Sequence, residues 1–399
     1  MTSNPVDGNR VDCDLAIVGG GIAGPALAAA LADHGYRIVL IERSAEPLDT
    51  ARGDHLQPAA CAWLERWGVL DMLFKHGAER RCGARWQTPD GQLVLNVSVD
   101  DLDIPHPYFL YLNHELISEV LLEKASANPG FSILRPATAH VVRDADAPGR
   151  HGLLVNHAGG QVQINAHCIV IADGRASPGR KALGIETRIH NYVNPLLVLF
   201  APRTFHDPRN DAHIFLTSAG IISVVPRICD HWKIGFPLGR EQLAGWTDST
   251  PEELARRLTQ MVPLLDGIKP QVAGVYPVAM VNAARWADGN CVLLGDACHA
   301  LHPGRSQGMN VALRGVTMLA ALLGSSDFPK SPPAVPRLLS DFEAQHKGPI
   351  DARLEANHAR GLEMDQLDAA GVERTRKALS EVAASKEKTQ GYCMRVAGY

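Results

Sequence analysis

Three observations predict an α/β protein. A strand, glycine turn, helix and second strand open the chain, alternating β-branched and aromatic residues fill about 194–238, and a charged helical region follows a Pro-rich break at 328–336. Asp14 to Val18 (DLAIV) is the first strand, 25–33 the Ala/Leu-rich helix and 36–41 (YRIVLI) the second strand, which together make one βαβ unit. Residues 58–74 carry helical spacing, with Leu64, Trp67, Leu70 and Leu73 read as core packing. Alternating segments follow at 86–99 and 108–112, a helix at 114–127, and strands at 139–142, 153–156 and 168–172. Ile214-Phe215-Leu216 and 221–225 carry the antiparallel pattern. A helix is expected at 250–261, where Pro251, Glu252 and Glu253 form its first turn, and a buried strand at 290–295.

Composition narrows the class. The 399 residues are 46% hydrophobic and 21% charged, which fits a globular chain of one large or two interleaved domains. A net charge of −4 with scattered Lys and Arg excludes a nucleic-acid partner from the expectation. The eight cysteines form no CxxC pair and no close Cys/His cluster of zinc-finger spacing, so no metal site is expected and most of the thiols read as reduced, buried fillers. The N-terminus lacks a basic and apolar leader, and no uninterrupted apolar run reaches the roughly 18 residues of a membrane span. A cytoplasmic protein is the expectation.

Gly19, Gly21 and Gly24 form GxGxxG within GGGIAG, after a strand and opening a helix. Gly19 permits the tight turn, Gly21 the approach of a pyrophosphate, and Gly24 close packing of helix on strand. The helix start offers its N–H groups to the anion. Glu42, followed by Arg43, ends the second strand, where a carboxylate accepts from ribose hydroxyls and repels a ribose phosphate. FAD and NAD both satisfy this unit.

Two further stretches separate those alternatives. Residues 168–180 read CIVIADGRASPGR and 290–313 read NCVLLGDACHALHPGRSQGMNVAL. With the glycine motif, these resemble the three fingerprints of the FAD-dependent aromatic hydroxylases, the p-hydroxybenzoate hydroxylase family, in order over about 12–345. The resemblance implies a Rossmann-like FAD-binding domain, an inserted antiparallel-sheet substrate domain and a helical C-terminal region. Its segments would be 11–80, 113–185 and 281–330 for FAD, 81–112 and 186–280 for substrate, and 331–399 for the tail. Asp296 is similar to the aspartate at the ribityl chain and Pro303 to the proline beside the isoalloxazine. Gly308, Met309 and Asn310 resemble the helix start facing the flavin pyrimidine. Asp173 resembles the family's cofactor-contacting aspartate, Arg180 its closing arginine, and Arg52 the pyrophosphate-binding arginine. Departures are Arg305 in the loop, Asn113 where relatives carry arginine, and Gly315 where an acidic residue is common. His302-Pro303 in place of Pro-Pro is similar to the branch of ubiquinone-biosynthesis and quinolone-type hydroxylases.

The family's reaction has NADH or NADPH reduce FAD, O2 add at flavin C4a, and the hydroperoxide oxygenate a small aromatic or heteroaromatic substrate. His302 and His55, each next to a motif position, are the candidates for a catalytic base. Phe215, Leu216 and Val224 are candidates for substrate walls or for core. A homodimer and a separate flavin reductase are carried as partner candidates. Competing functions are a related epoxidase, Baeyer-Villiger oxygenase or dehydrogenase, and a non-enzymatic flavin-binding module.

Overall fold

The computed structural model describes residues 10–47, 55–143, 149–205 and 207–399. Its largest sheet has a parallel centre built from β1 (Arg10–Val18), β2 (Ile38–Ile41), β8 (Phe131–Leu134), β11 (Gly160–Ile171) and β20 (Cys291–Leu293). Their order across the sheet is β8-β2-β1-β11-β20, so in chain order these five read third, second, first, fourth, fifth. That order reverses direction between β1 and β11, and a crevice opens beyond the carboxyl ends of strands at such a point. In the carboxyl-terminal parts of β1 and β11 alternation of apolar and polar residues gives way to unbroken apolar runs because both faces are covered: Leu15, Ala16 and Ile17 are all fully buried, as are Ile169, Val170 and Ile171. Helices α1 (Ala23–Ala30), α2 (His114–Ala125) and α4 (Gly308–Ser325) belong to the same core. The hairpin β9 (Ala137–Arg143) and β10 (His151–His157) and the short strand β19 (Ala287–Asp288) complete the sheet.

Two insertions leave this framework. A small sheet joins β3 (His55–Leu56), β7 (Phe109–Tyr111) and β4 (Glu79–Arg81), and another joins β12 (Thr187–Asn191), β18 (Ala279–Ala283) and β21 (His299–Ala300). A seven-stranded sheet runs in the order β17 (Gln271–Tyr276), β13 (Leu196–Pro202), β16 (His231–Pro237), β15 (Gly220–Arg227), β14 (Ala212–Thr217), β5 (Gly83–Gln87), β6 (Leu93–Ser98). Its two faces differ. Leu197, Leu199, Phe215, Ile222, Val224, Trp232 and Ile234 form a closed core with α3 (Pro251–Met261). Along β15 the alternate residues Ile221, Ser223, Val225 and Arg227 are only half-buried, and so are Phe200, Ile214 and Lys233 on neighbouring strands. The Leu216–Ile221 end of this second face is covered by the C-terminal helices, and the stretch from Ser223 to Arg227 is its open part. Phe215 and Val224 therefore belong to the core behind the sheet, and Leu216 packs with the C-terminal helices α6 (Ala369–Ala383) and α7 (Lys386–Ala397).

The expected helix at 58–74 is two helices, Pro58–Arg66 and Leu70–Lys75, because Gly68 takes a left-handed φ of 70° between them. Helix α3 has the capping box that its sequence foreshadows: Thr250 Oγ accepts from the Glu253 N–H, and the Glu253 carboxylate accepts from the Thr250 N–H. Among the described residues one helix, α4, is long and apolar enough to cross a membrane by length and composition, and half of it is buried inside the fold. The 31-residue helix α5 (Val335–Asp365) then crosses the molecule before α6 and α7.

Candidate functional site

The glycine turn sits at the reversal point of the large sheet. Gly19 has φ 117°, and a Cβ there would lie 2.2 Å from the Ala172 carbonyl at the end of β11. A Cβ at Gly24 would lie 2.0 Å from the Gly19 carbonyl. Both positions need glycine for packing alone. Gly21 differs: it is exposed, and nothing stands within 4 Å of where its Cβ would be. The open space lies over the start of α1, whose first N–H groups have no partner in the helix ladder. Ser118 of α2 holds the turn from below, its hydroxyl shared between the carbonyls of Gly20 and Gly21 at 2.8 and 2.9 Å. Glu42 accepts from the Gly20 N–H at 2.5 Å and the Ser44 N–H at 2.7 Å, and Arg43 beside it is exposed.

Three separated stretches meet around this turn. At Gly295, φ 62°, an added Cβ would stand 3.0 Å from Ala23 Cβ of α1 and 3.5 Å from Ala312 Cβ of α4. Asp296 follows, exposed in the same short turn. The middle stretch joins through Arg180, which donates to the Ala297 carbonyl at 2.6 Å and the Arg175 carbonyl at 3.1 Å. Asp173 accepts from the Gly179 N–H through Oδ2, while its Oδ1 is buried without a protein partner. Burial raises the Asp173 pKa above the ordinary carboxylate value. Asn113 at the start of α2 also keeps a buried, unpartnered Oδ1. Orphaned acceptors on two sides of an open glycine turn suit a ligand rich in hydroxyl and N–H donors, and the residues present fit a dinucleotide. Arg52 lies outside the described residues, as does the side chain of Arg305.

The 301–310 segment closes the third side. The first helix bond of α4 runs from the Val311 N–H to Gln307, so the N–H groups of Gly308, Met309 and Asn310 precede the ladder. Around Gly308 the space is open, and Pro303 is exposed, its carbonyl accepting from the Ser306 N–H. The Asn310 side chain is spent internally: it accepts from the Gln57 N–H at 2.8 Å and donates to the carbonyls of His55 and Ser306 at 3.2 and 3.0 Å. That amide ties β3 to the loop, and only the backbone N–H of Asn310 is left to face a ligand.

Both histidines are held neutral. His302 is buried, its Nδ1 accepting from the Gly304 N–H at 3.1 Å, so its proton resides on Nε2. Burial lowers its pKa to about 4, opposed by Asp365 and reinforced by His358. The His55 ring stands 2.7 Å from the Arg81 guanidinium, and burial together with Arg81 and Lys233 keeps its pKa well below the ordinary value. A ring nitrogen facing a permanent donor accepts that bond and has little basicity to spare, so this geometry does not favour either ring as a base at neutral pH. Arg81 itself is buried, with its Nε unpartnered and its pKa lowered to about 10 by burial.

A stability prediction follows from His299 and His302, both buried and both lowered to about 4 by burial first. The unfolded chain takes up these protons near 6.5. Between pH 6.5 and 4 it therefore binds more protons than the fold, and stability falls as the medium is acidified, by up to about 3 kcal/mol per ring. Urea midpoints across that window should decline with acid, and His299→Gln should make the decline shallower. A flat profile would contradict the assignment.

A protein-family model described as FAD binding domain matches residues 12–326. The chain belongs to that family. It is 29% identical over 320 residues to 6-methylpretetramide 4-monooxygenase of Streptomyces rimosus, covering 78% of this chain and 74% of the relative. It is 28% identical over 353 residues to a ubiquinone hydroxylase of Rhodospirillum rubrum, covering 86% and 80%. In fold it is similar to p-nitrophenol 4-monooxygenase from Pseudomonas putida, with a TM-score of 0.79 at 20% identity over 97% of this chain and 98% of the other. The protein is an FAD-dependent monooxygenase, an oxidoreductase of the aromatic hydroxylase class. Sequence motifs missed Ser118, Arg81 and Asn357 in this neighbourhood, because each acts through a partner remote in the chain: Gly20, His55 and His302.

Proposed function

We propose that the protein inserts one oxygen atom of O2 into an electron-rich aromatic or heteroaromatic ring held between the open face of the seven-stranded sheet and FAD. The observation that carries this is the meeting of the glycine turn, the Gly295 turn and the 303–310 loop at one crevice. When bound, FAD supplies the redox chemistry, taking two electrons from NADH or NADPH and activating O2. The chain's residues bind and orient. Gly19, Gly21, Gly24 and the start of α1 hold the pyrophosphate with Arg52, Glu42 and Arg43 serve the ribose end, and Asp173 and Asp296 accept from hydroxyls of the linker. Pro303 and the N–H groups of Gly308, Met309 and Asn310 face the isoalloxazine, where a helix start favours negative charge. His302 and His55 hold the loop and the cleft wall rather than taking a proton.

On the open sheet face Val198, Gly235, Ser223 and Ile214 form one cross-strand row and Phe200, Lys233 and Val225 the next. A Cβ at Gly235 would stand 3.3 Å from Ser223 Oγ, so Gly235→Val fills the row without touching the FAD-binding turns. Such a variant should keep its flavin and lose at least about tenfold in kcat/KM for a ring substrate, since pocket methylenes discriminate by that order. Equal turnover would remove the sheet face from the substrate site.

The test of function is direct. Purified protein should be yellow, be bleached by NADH or NADPH, and yield an oxygenated product by mass spectrometry from a panel of phenols, quinolones and indoles under 18O2. Label in product made only from pre-reduced flavin would assign the electrons to a separate reductase, and sedimentation would read a homodimer. Eight free cysteines, six of them buried, support a reducing compartment such as the cytoplasm. Protein that stays colourless after FAD supplementation would end the reading.

A further inference from the structure

We infer that Asn357 is the positioning residue of the flavin loop, acting from a helix that lies beyond the matched family segment of 12–326. It rests on the reading that 302–308 faces the isoalloxazine. Asn357 lies on α5 and is buried, 5% exposed. Its Oδ1 accepts from the His302 N–H at 2.7 Å, and its Nδ2 donates to the His302 carbonyl at 3.1 Å. One amide side chain thus replaces both backbone bonds that a sheet neighbour would give, at the residue that precedes Pro303. The pair needs one acceptor and one donor side by side, which only a side-chain amide offers, and Asn carries it on the shorter stem.

Neighbouring contacts from the same helix close around the loop. A Cβ on Gly304 would lie 2.6 Å from the Met364 side chain, so α5 also covers the loop's tip. His358 Nδ1 meets the Tyr192 hydroxyl at 2.8 Å, and the Tyr192 ring stands edge-on to His302 with centroids 4.7 Å apart. Asp365 accepts from the N–H groups of Val193 and Asn194 at 2.7 and 2.8 Å, which anchors the end of α5 to the segment carrying Tyr192. With both ends of this stretch fixed, the two Asn357 bonds set where the His302 backbone sits along the helix. Through Pro303 they set the approach of the loop to the cofactor.

Asn357→Leu keeps the volume and removes both bonds. Hydrogen exchange read on the peptides covering 299–307 should then show the His302 amide exchanging at least about tenfold faster, the loss expected for one buried bond of about 1.4 kcal/mol. This readout works with or without FAD. In flavin-loaded protein the same variant should shift the flavin absorption bands and reduction potential, and divert NAD(P)H oxidation from product to hydrogen peroxide. Leu339→Ala is the control: Leu339 is fully buried on the same helix, several turns before Asn357 in the core of the large sheet, and its side chain has no hydrogen bond to give the loop. It should lower Tm while leaving exchange at His302, the flavin bands and the potential as in the wild type. If the leucine variant does not fold, Asn357→Asp, which keeps the acceptor and loses the donor, should shift the same signatures. Unchanged exchange at His302 overturns the inference, and so do flavin signatures equal to wild type or moved equally by Leu339→Ala. A chain that binds no FAD would instead refute the functional reading, while the exchange result still tests the clamp.

Discussion

Gly24→Val is expected to give a folded protein that purifies without flavin. Any Cβ at this position falls 2.0 Å from the Gly19 carbonyl and 3.0 Å from Ile17 Cγ2, so α1 must move away from β1. That displacement carries the N–H groups at the start of α1 off the position proposed for the pyrophosphate, and it opens the contact that Gly24 makes possible. FAD affinity should fall by about a thousandfold or more, on the order of 4 kcal/mol. Gly21→Ala is the informative partner. Its Cβ meets nothing within 4 Å, so the fold has no reason to change and any flavin lost reports the ligand's own approach. Flavin-to-protein absorbance ratios and thermal melts of the two variants separate the cases. A flavin-replete Gly24→Val protein would contradict the packing argument.

The second large effect is expected at Arg180. Its side chain is buried, 2% exposed, and its two donations to Ala297 and Arg175 fasten the middle stretch to the Gly295 turn. Arg180→Leu leaves the buried Ala297 carbonyl and the half-buried Arg175 carbonyl unpaired and should cost about 3 kcal/mol, with flavin content falling in parallel as the turn loosens. Arg180→Lys should recover little, since a single ammonium cannot span both carbonyls as the planar fork does. Urea unfolding of both variants measures this. Wild-type stability in the leucine variant would return Arg180 to an incidental role. The resemblance to a family's closing arginine thus acquires a physical account: the residue braces the 173–180 stretch against the Gly295 turn.

Which parts are legible in the sequence follows from how far each constraint reaches along the chain. Gly19 and Gly24 announce themselves because backbone atoms crowd them, and a local pattern of strand, turn and helix shows why. The central parallel strands are legible as unbroken apolar runs, a pattern that comes from covering both faces. The facing of the seven-stranded sheet is not. Ile214, Phe215 and Leu216 are all apolar, so alternation cannot reveal that Phe215 turns to the core and Ile214 to the cleft; the tertiary packing of α3 decides it. His55 and His302 read as bases from their motif neighbours. What neutralises them sits elsewhere, Arg81 on a different strand and burial under α5, neither of which leaves a mark beside the histidines. Asn310 likewise reads as a cofactor contact, while its amide is consumed by Gln57, His55 and Ser306.

The most direct measurement is hydrogen exchange of the FAD-free chain titrated with FAD. Amides of 19–24, 172–180, 295–297 and 302–310 should gain protection together, along one binding curve, because one molecule spans all four stretches. Protection confined to 19–24, or spread over stretches with different midpoints, would contradict a single cofactor gripped by converging turns.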